Sequence, residues 1–513
     1  MNYKLNRTFS GETAPKSTWL TFCIVGAFKD SIFQFISLFL LLFIQYGTDL
    51  PLDPNYNTYF LVITIGLIAV KTIGTLFTFP LMSHLSNIIK IKWAGNFRPW
   101  IFLGSLLSMI FFVMMFFNPF SGWWFVITFL IEYYLFEAFF CFNDIGYWGF
   151  FTTMSSVEKT RAKFGAVSSV FIAIGTYAVA AITPAISGGQ ASFAIRLIAI
   201  IIAALFVISS LILALIMQEK PINTNYESHY TDCFKLLKKN KYELPALLIL
   251  MFFFAAQFIL MGNSVNLFYY IYGYGNEAIY GSPLASGGFT GVCFIFTIVY
   301  GIASTISQSL YPLINKHFSR KKILTFSIFG LTIMYLLIYF LLSNRANVYW
   351  LFLGIFILVL FQGQVNSIIL MINNLTIEYN DYLFGERRDK DVMAIREVFG
   401  KFSGGIQTLC FYIFLFASGL FGLNTAIGNE EAKGILDSTY NVVGNVNQLI
   451  MNTISSSDYD PKLMIFKALV FIVPMIFMWL ILIVYDRFYK LDEVEYSRII
   501  KVIEERKTKE VKE

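Results

Sequence analysis

Long apolar runs recur along the whole 513-residue chain, and they limit its fold more than any other feature. A helix of about 20 apolar residues crosses a hydrocarbon core about 30 Å thick, and it pairs its own backbone groups in lipid. We count about twelve such runs. Their approximate ranges are 18–46, 58–86, 99–118, 122–153, 164–187, 193–218, 244–272, 288–314, 322–343, 347–374, 394–421 and 462–486. Since only 14% of the residues are charged, the sequence predicts an all-α integral membrane protein in a lipid bilayer.

The basic residues predict the orientation of these spans. About 30 of the 38 Lys and Arg lie in the N-terminus, the even-numbered connections and the C-terminus. Cytoplasmic loops carry such an excess, so we predict a multi-pass protein of the cell membrane with both termini cytoplasmic. The net charge of +6 then needs no nucleic-acid partner. The polar N-terminus leads directly into a long span, and we expect no cleaved signal peptide.

The order of the spans predicts two halves. A Lys-rich stretch separates two blocks of six spans, and "PLMSHLSNIIKIK" from Pro80 is echoed by "PLINKHFSRKKIL" from Pro312. Two pseudo-symmetric six-helix halves are typical of the major facilitator fold, whose substrate site lies near the midplane between them. The predicted parts are a first half (1–219), a cytoplasmic linker (220–243), a second half (244–490) with a long external loop (423–461), and a cytoplasmic helix or tail (491–513).

A few charged residues inside the spans are the main candidates for function. Burying one at the centre of a bilayer costs at least about 2.5 to 3.5 kcal/mol unless it is paired or wetted. Helical spacing places Glu137, Cys141, Asp144 and Trp148 on one face of the fourth span. Asp30 lies in the first span, and its neighbour Lys29 is rotated by about 100° and need not share its surroundings.

These residues suit a site for a polyhydroxylated solute. Carboxylates of Asp30 and Asp144 can accept hydrogen bonds from hydroxyl groups, and Trp148 can stack on the apolar face of a sugar. Lys401 could balance the charge of Asp144. The amides of Gln34 and Asn366 are further binding candidates. The alternative is that the charged residues only form ion pairs between helices, and that the amides only tie helices together.

Neither catalysis nor metal binding is indicated. The chain has three histidines and five cysteines, without metal-ligand or disulfide spacing, and no nucleophile motif stands in a suitable context. We therefore predict a protein that is not an enzyme, that holds no metal or cofactor, and that acts as a monomer.

Several short motifs together resemble the glycoside-pentoside-hexuronide:cation symporter family of the major facilitator superfamily, which includes melibiose, lactose and xyloside carriers. The pieces are "GAFKD" (26–30), "GNFRPW" (95–100), "NDIGYW" (143–148), "EKTR" (158–161), "IEYNDYLFGER" (377–387), Lys401 and "FYKLDE" (488–493). The resemblance implies a secondary transporter with alternating access. It also implies that Asp30, Asp144 and Trp148 contact a sugar, and that Lys401 lies near a cation site. The implied cytoplasmic gate comprises Arg98, Arg161, Glu378 and Arg387. The excess of basic residues in cytoplasmic loops would also explain its arginines.

The chain departs from the family where the cation should bind. The family's two acids before the proline matching Pro80 are replaced here by Thr75 and Phe79, and Lys71 lies one turn before Thr75. Hard cations need several oxygen ligands, so sodium is a less plausible coupling ion than a proton. Glu137 could take up that proton, or it could form an ion pair with Lys71 that replaces the cation. Two sugar-site positions also differ, since Gly146 replaces a proline and Ser169 replaces an arginine.

Three functions are consistent with the sequence. The first is symport of a sugar or glycoside. The second is an uncoupled facilitator, or a carrier of an amphipathic solute such as a lysolipid, for which the 56 phenylalanines could line an apolar path. The third is a membrane sensor that binds a solute without transporting it.

Overall fold

A computed structural model of the protein describes residues 13–89, 95–155, 158–186, 191–219, 231–272, 291–343, 348–384, 389–454 and 459–489, and the single residues 456, 491, 495, 498, 499 and 502. This described part is almost entirely helical, and it contains an isolated antiparallel bridge between Thr13 and Ser155. Each of the predicted spans coincides with a helix. By length and composition alone, ten helical segments of the described chain are apolar enough to cross a membrane.

The first block contains helices α1 to α7. Their bounds are Lys16–Tyr46, Tyr56–Ala69, Thr75–Ile88, Arg98–Phe116, Gly122–Thr153, Glu158–Ala185 and Ala191–Ile216. A 3₁₀ turn, Leu50–Leu52, follows α1. A π-helical turn, Val70–Gly74, joins α2 to α3, so the second predicted span is one long helix with a widened turn in its middle. Such turns are frequent at functional sites.

The second block contains helices α8 to α16. Their bounds are Asp232–Lys239, Glu243–Tyr272, Gly291–Asn315, Arg320–Ser343, Val348–Phe384, Asp389–Ser418, Phe421–Leu436, Val442–Ile454 and Tyr459–Phe488. Helix α8 lies in the predicted linker, and α14 and α15 lie in the predicted external loop. The predicted C-terminal helix falls outside the described residues except for a few isolated positions.

The two faces of the bundle can be distinguished from contacts between helix ends. Tyr459, at the start of α16, donates a hydrogen bond from its hydroxyl to the carbonyl of Tyr270, near the end of α9, over 2.5 Å. Tyr46, at the end of α1, lies in the same cluster. We call this side the far face. The start of α1, the start of α9 and the end of α16 lie on the opposite side, which we call the termini face.

Small residues let the helices of the first half approach closely. A Cβ atom on Gly175 of α6 would lie 2.3 Å from the carbonyl oxygen of Ala27 in α1, and one on Gly104 of α4 would lie 2.5 Å from the backbone nitrogen of Asn143 in α5. The Asn143 side chain also donates to the carbonyl of Ile101 in α4 over 2.7 Å. In lipid, close backbone packing replaces the hydrophobic effect as the force between helices. These contacts hold α1 and α5, which carry the predicted acids, in fixed positions.

Candidate functional site

The predicted substrate residues converge on one cavity between the halves. Its volume is about 270 Å³, close to the lower end of the range of about 300 to 1,000 Å³ for small-molecule pockets. Helices of both halves line it. Its polar lining comprises Lys29, Asp30, Gln34, Asp144, Trp148, Ser169, Thr176, Tyr177, Gln257, Gln308, Asn366, Arg396 and Glu397. The structure thus brings together Asp30, Gln34, Asp144, Trp148 and Asn366, five of the six predicted substrate residues.

Lys29 is the centre of the charge arrangement in this cavity. Its Nζ lies 2.6 Å from Asp144 Oδ1 and 3.1 Å from Asp30 Oδ1. The lysine is 4% exposed and Asp144 is 3% exposed. Lys29 and Asp30 therefore share their surroundings despite the rotation of about 100° between them, because the flexible lysine side chain reaches back across the helix face. Lys29, rather than Lys401, compensates the charge of Asp144.

Aromatic rings surround the same ammonium group. Lys29 Nζ lies 5.3 Å from the ring centroids of both Tyr147 and Trp148, and 5.9 Å from that of Phe140. Cation–π attraction therefore adds to the two ion pairs. The Tyr147 hydroxyl donates to the carbonyl of Phe22 over 3.1 Å, which holds that ring between α1 and α5. Trp148 lines the cavity, and its ring also contacts Tyr147 and Phe151 edge-on.

Lys401 forms a second buried pair, with Glu137. Its Nζ lies 2.7 Å from Glu137 Oε2, and the two side chains are 5% and 3% exposed. The Tyr133 hydroxyl donates to Glu137 Oε1 over 2.8 Å, so one carboxylate oxygen accepts a hydrogen bond and the other lies in the ion pair with Lys401. Lys401 belongs to α13 of the second half and Glu137 to α5 of the first half. This pair therefore joins the halves next to the cavity.

Lys71 extends from the first half to α13 of the second half, whereas Lys401 extends from the second half to the first. It lies on the π-helical turn, and its Nζ donates to Thr408 Oγ1 over 3.1 Å and to the carbonyl of Gly404 over 3.5 Å, both in α13. The lysine stem packs against α13 at Gly404, where a Cβ would lie at van der Waals distance, 3.5 Å, from Lys71 Cδ. The predicted direct pair between Lys71 and Glu137 is not present among the described contacts, because Lys401 takes that place. The Thr75 hydroxyl is used within its own helix, where it donates to the Lys71 carbonyl over 2.8 Å.

The charges of this region balance without an added ion. Four of the side chains are basic and four are acidic when all are ionised. The basic group comprises Lys29, Lys71, Arg396 and Lys401, and the acidic group comprises Asp30, Glu137, Asp144 and Glu397. Uncompensated charge in a low-dielectric interior is costly, and equal numbers of acidic and basic side chains reduce that cost.

Sequence reasoning missed Arg396 and Glu397, which line the cavity from α13. They lie close to the predicted start of a span, so they were not counted as intramembrane charges. A usable signal was present, since Glu397 lies one helical turn before Lys401 and shares its face. The Gly146 departure also has a structural explanation. A Cβ on Gly146 would lie 3.1 Å from the backbone nitrogen of Ile101, so this position is close to α4.

The predicted gate residues are not brought into one described cluster. Arg98 donates from Nη2 to the carbonyl of Met217 over 2.5 Å, a contact within the first half. Glu378 lies near the end of α12. The side chain of Arg161 and the whole of Arg387 lie outside the described residues.

A model of the family described as "MFS/sugar transport protein" matches residues 58–493. The chain belongs to this family. Among curated relatives, the lactose permease of Lactobacillus helveticus is 25% identical over 83% of this chain, and the lactose permease of Leuconostoc lactis is 22% identical over 81%. The raffinose carrier protein of Pediococcus pentosaceus is 24% identical over 74% of this chain. The chain spans 66%, 65% and 59% of the length of these relatives. The predicted resemblance to glycoside-pentoside-hexuronide:cation symporters is thereby confirmed.

Solved structures agree on the fold. A D-xylose-proton symporter is similar with a TM-score of 0.56 at 12% identity, covering 90% of this chain and 97% of that one. A bacterial homologue of the human lysosomal transporter Spinster, in an inward-facing and unoccupied conformation, has a TM-score of 0.57 at 10% identity, covering 92% and 97%. The major facilitator fold predicted from the sequence is confirmed.

Proposed function

We propose that the chain is a secondary transporter that moves a sugar or glycoside across the cell membrane by alternating access, and that it is not an enzyme. The observation that carries this proposal is the cavity between the halves, where Asp30, Asp144 and Trp148 lie together beside the amides of Gln34 and Asn366. Carboxylates and amides suit hydroxyl groups, and the indole suits the apolar face of a pyranose ring. The relatives named lactose permease and raffinose carrier support a glycoside as the substrate class.

The charge arrangement supports transport without sodium. Thr75 and Phe79 stand where a cation site in the second span would need carboxylates, Lys71 lies one turn before Thr75, and the charges around the cavity are balanced in its presence. We expect either proton-coupled uptake, with Glu137 and Lys71 in the coupling region beside Thr75, or uncoupled facilitation. The polar lining of the cavity favours a sugar over a lysolipid.

The first experiment measures uptake of labelled lactose and raffinose by the purified protein in liposomes. Proton and sodium gradients are imposed separately, and Asp144→Asn is compared with Asp437→Asn, an exposed acid distant from the cavity. We expect uptake that does not depend on sodium, that is lost in Asp144→Asn and that persists in Asp437→Asn. Stimulation only by the proton gradient would establish symport, and equal uptake without any gradient would establish facilitation. Absence of flux for both sugars, with binding retained, would favour the sensor.

A further inference from the structure

Helix α14 lies across the far face and touches both halves of the bundle. It belongs to the segment between α13 and α16 of the second half, yet it packs against the end of α1 and against the 3₁₀ turn Leu50–Leu52 of the first half. Neither the family match nor the substrate site gives this helix a role. Its contacts with both halves indicate a role in holding them together at the far face.

Asn424 of α14 connects the two halves through tyrosine hydroxyls. Its Nδ2 donates to Tyr46 Oη of α1 over 2.6 Å and to Tyr270 Oη of α9 over 3.2 Å. The Tyr46 hydroxyl in turn donates to Asn266 Oδ1 of α9 over 2.9 Å. All four side chains are fully buried. Because such polar groups are costly to bury without partners, this network favours one docked position of α14.

Backbone packing gives α14 a second attachment to the first half. A Cβ atom on Gly428 would lie 2.6 Å from the carbonyl oxygen of Gln45 and 3.2 Å from the Cβ of Pro51. The absence of a side chain at Gly428 therefore allows the helix to lie directly on the end of α1. Gln45 also belongs to the polar network, since its Oε1 accepts a hydrogen bond from Asn266 over 3.4 Å.

We propose that α14 is the outer gate of the carrier and that Asn424 is its gating residue. The inference rests on the proposed function, because alternating access requires the cavity to open toward the far face in one state. That opening separates the end of α1 from the end of α9. Since Asn424 is bonded to both, α14 must undock in each transport cycle.

A disulfide between α14 and the first half tests this directly. The double variant Pro51→Cys/Gly428→Cys places two Cβ atoms 3.2 Å apart, slightly below the usual range of about 3.5 to 4.5 Å. Because the new Cβ at 428 also lies 2.6 Å from the Gln45 carbonyl oxygen, α14 must shift slightly, and the single variant Gly428→Cys is assayed beside the pair to measure the effect of that shift alone. The matched control is Gly434→Cys/Val442→Cys, whose Cβ atoms are 3.6 Å apart and which joins α14 to α15 within the second half. Both proteins are assayed for uptake of labelled lactose in liposomes before and after oxidation, and again after reduction.

We expect oxidation of the first variant to reduce uptake to the level of protein-free liposomes, and reduction to restore it. The control should transport equally in both states. Full uptake by the oxidised first variant would overturn the gate, and so would equal inhibition of the control.

A second readout does not depend on the sugar. Gln257→Cys introduces a thiol that lines the cavity, and intact cells are treated with a membrane-impermeant maleimide. Labelling at position 257, read by peptide mass spectrometry, should occur in the reduced Pro51→Cys/Gly428→Cys background and be blocked after oxidation. One outcome is that the reduced Pro51→Cys/Gly428→Cys protein, without the change at Gln257, transports neither lactose nor raffinose while labelling in the triple variant still responds to oxidation. In that case the sugar assignment fails and the gate stands. Labelling that is unaffected by oxidation contradicts the gate.

Discussion

At the scale of single residues, the charges of the cavity are explained by their partners. Lys29 is held between Asp30 and Asp144, and Lys401 is held by Glu137. A sugar that binds to Asp144 must share that carboxylate with an ammonium group 2.6 Å away. Under the proposed function, the sugar therefore competes with Lys29 for this carboxylate.

The pair of Lys29 and Asp144 predicts a non-additive pattern of stability. Lys29→Gln and Asp144→Asn should each lower the free energy of unfolding by about 3 to 5 kcal/mol, because each leaves a buried charge that has lost a partner. The double variant should be destabilised by less than the sum of the two. Unfolding in detergent micelles measures the three values.

The control for this comparison of single and double variants is Lys321→Gln. Lys321 pairs with Asp486 over 3.0 Å, but the two side chains are 62% and 40% exposed. Exposed pairs contribute at most about 1 kcal/mol, so this change should have a small effect. If the two single changes at Lys29 and Asp144 are simply additive, the pair does not act as one electrostatic unit.

At the scale of helices, the position of α1 depends on the absence of side chains in its neighbours. The Cβ that Gly175 lacks would lie 2.3 Å from the backbone of Ala27, three residues before Asp30. A backbone atom cannot move aside as a flexible side chain can. The helix pair α1 and α6 therefore sets where the substrate residues of α1 lie.

Gly175→Ala should lower the free energy of unfolding by about 1 to 3 kcal/mol, the usual cost of overpacking, because α1 and α6 must move apart. Unfolding in detergent micelles measures this change. The substitution should also reduce sugar affinity, because α1 would be displaced. The matched change is Gly400→Ala in α13, where the nearest atom, Glu397 Oε2, would lie 3.9 Å from the new Cβ. That variant should be as stable as the original protein or slightly more stable, since Ala favours helix by about 0.5 to 1 kcal/mol over Gly. Equal effects of the two changes would contradict the packing argument.

At the scale of the whole molecule, polar contacts cross between the halves at several depths of the described bundle. Lys71 donates from the first half to Thr408 of the second, Lys401 donates from the second half to Glu137 of the first, and Asn424 links both at the far face. Under the proposed alternating access, movement of the halves breaks and remakes such contacts. Each half therefore contributes both donors and acceptors to the interface that must rearrange.

The orientation of the bundle is predicted by its basic residues and can be checked directly. Asp437→Cys, on the exposed segment after α14, should react with a membrane-impermeant maleimide added to intact cells. Lys241→Cys, exposed just before α9, should react only after the cells are permeabilised. The reverse pattern would place the termini outside the cell.

The sequence alone determined the membrane-spanning helices, their order and the acids of the fourth span, because hydrophobic length and helical spacing are local properties of a chain in lipid. It also indicated Asp30, Asp144 and Trp148 as neighbours, which the cavity contains. Only the tertiary structure decided the ionic partners. Lys29 reaches Asp144 across 115 positions, Lys71 reaches Thr408 across 337, and Asn424 reaches Tyr46 across 378. Which partner a long side chain contacts depends on how the helices pack. Helical spacing therefore could not assign the partners of Lys29 and Lys401 or the contacts of α14.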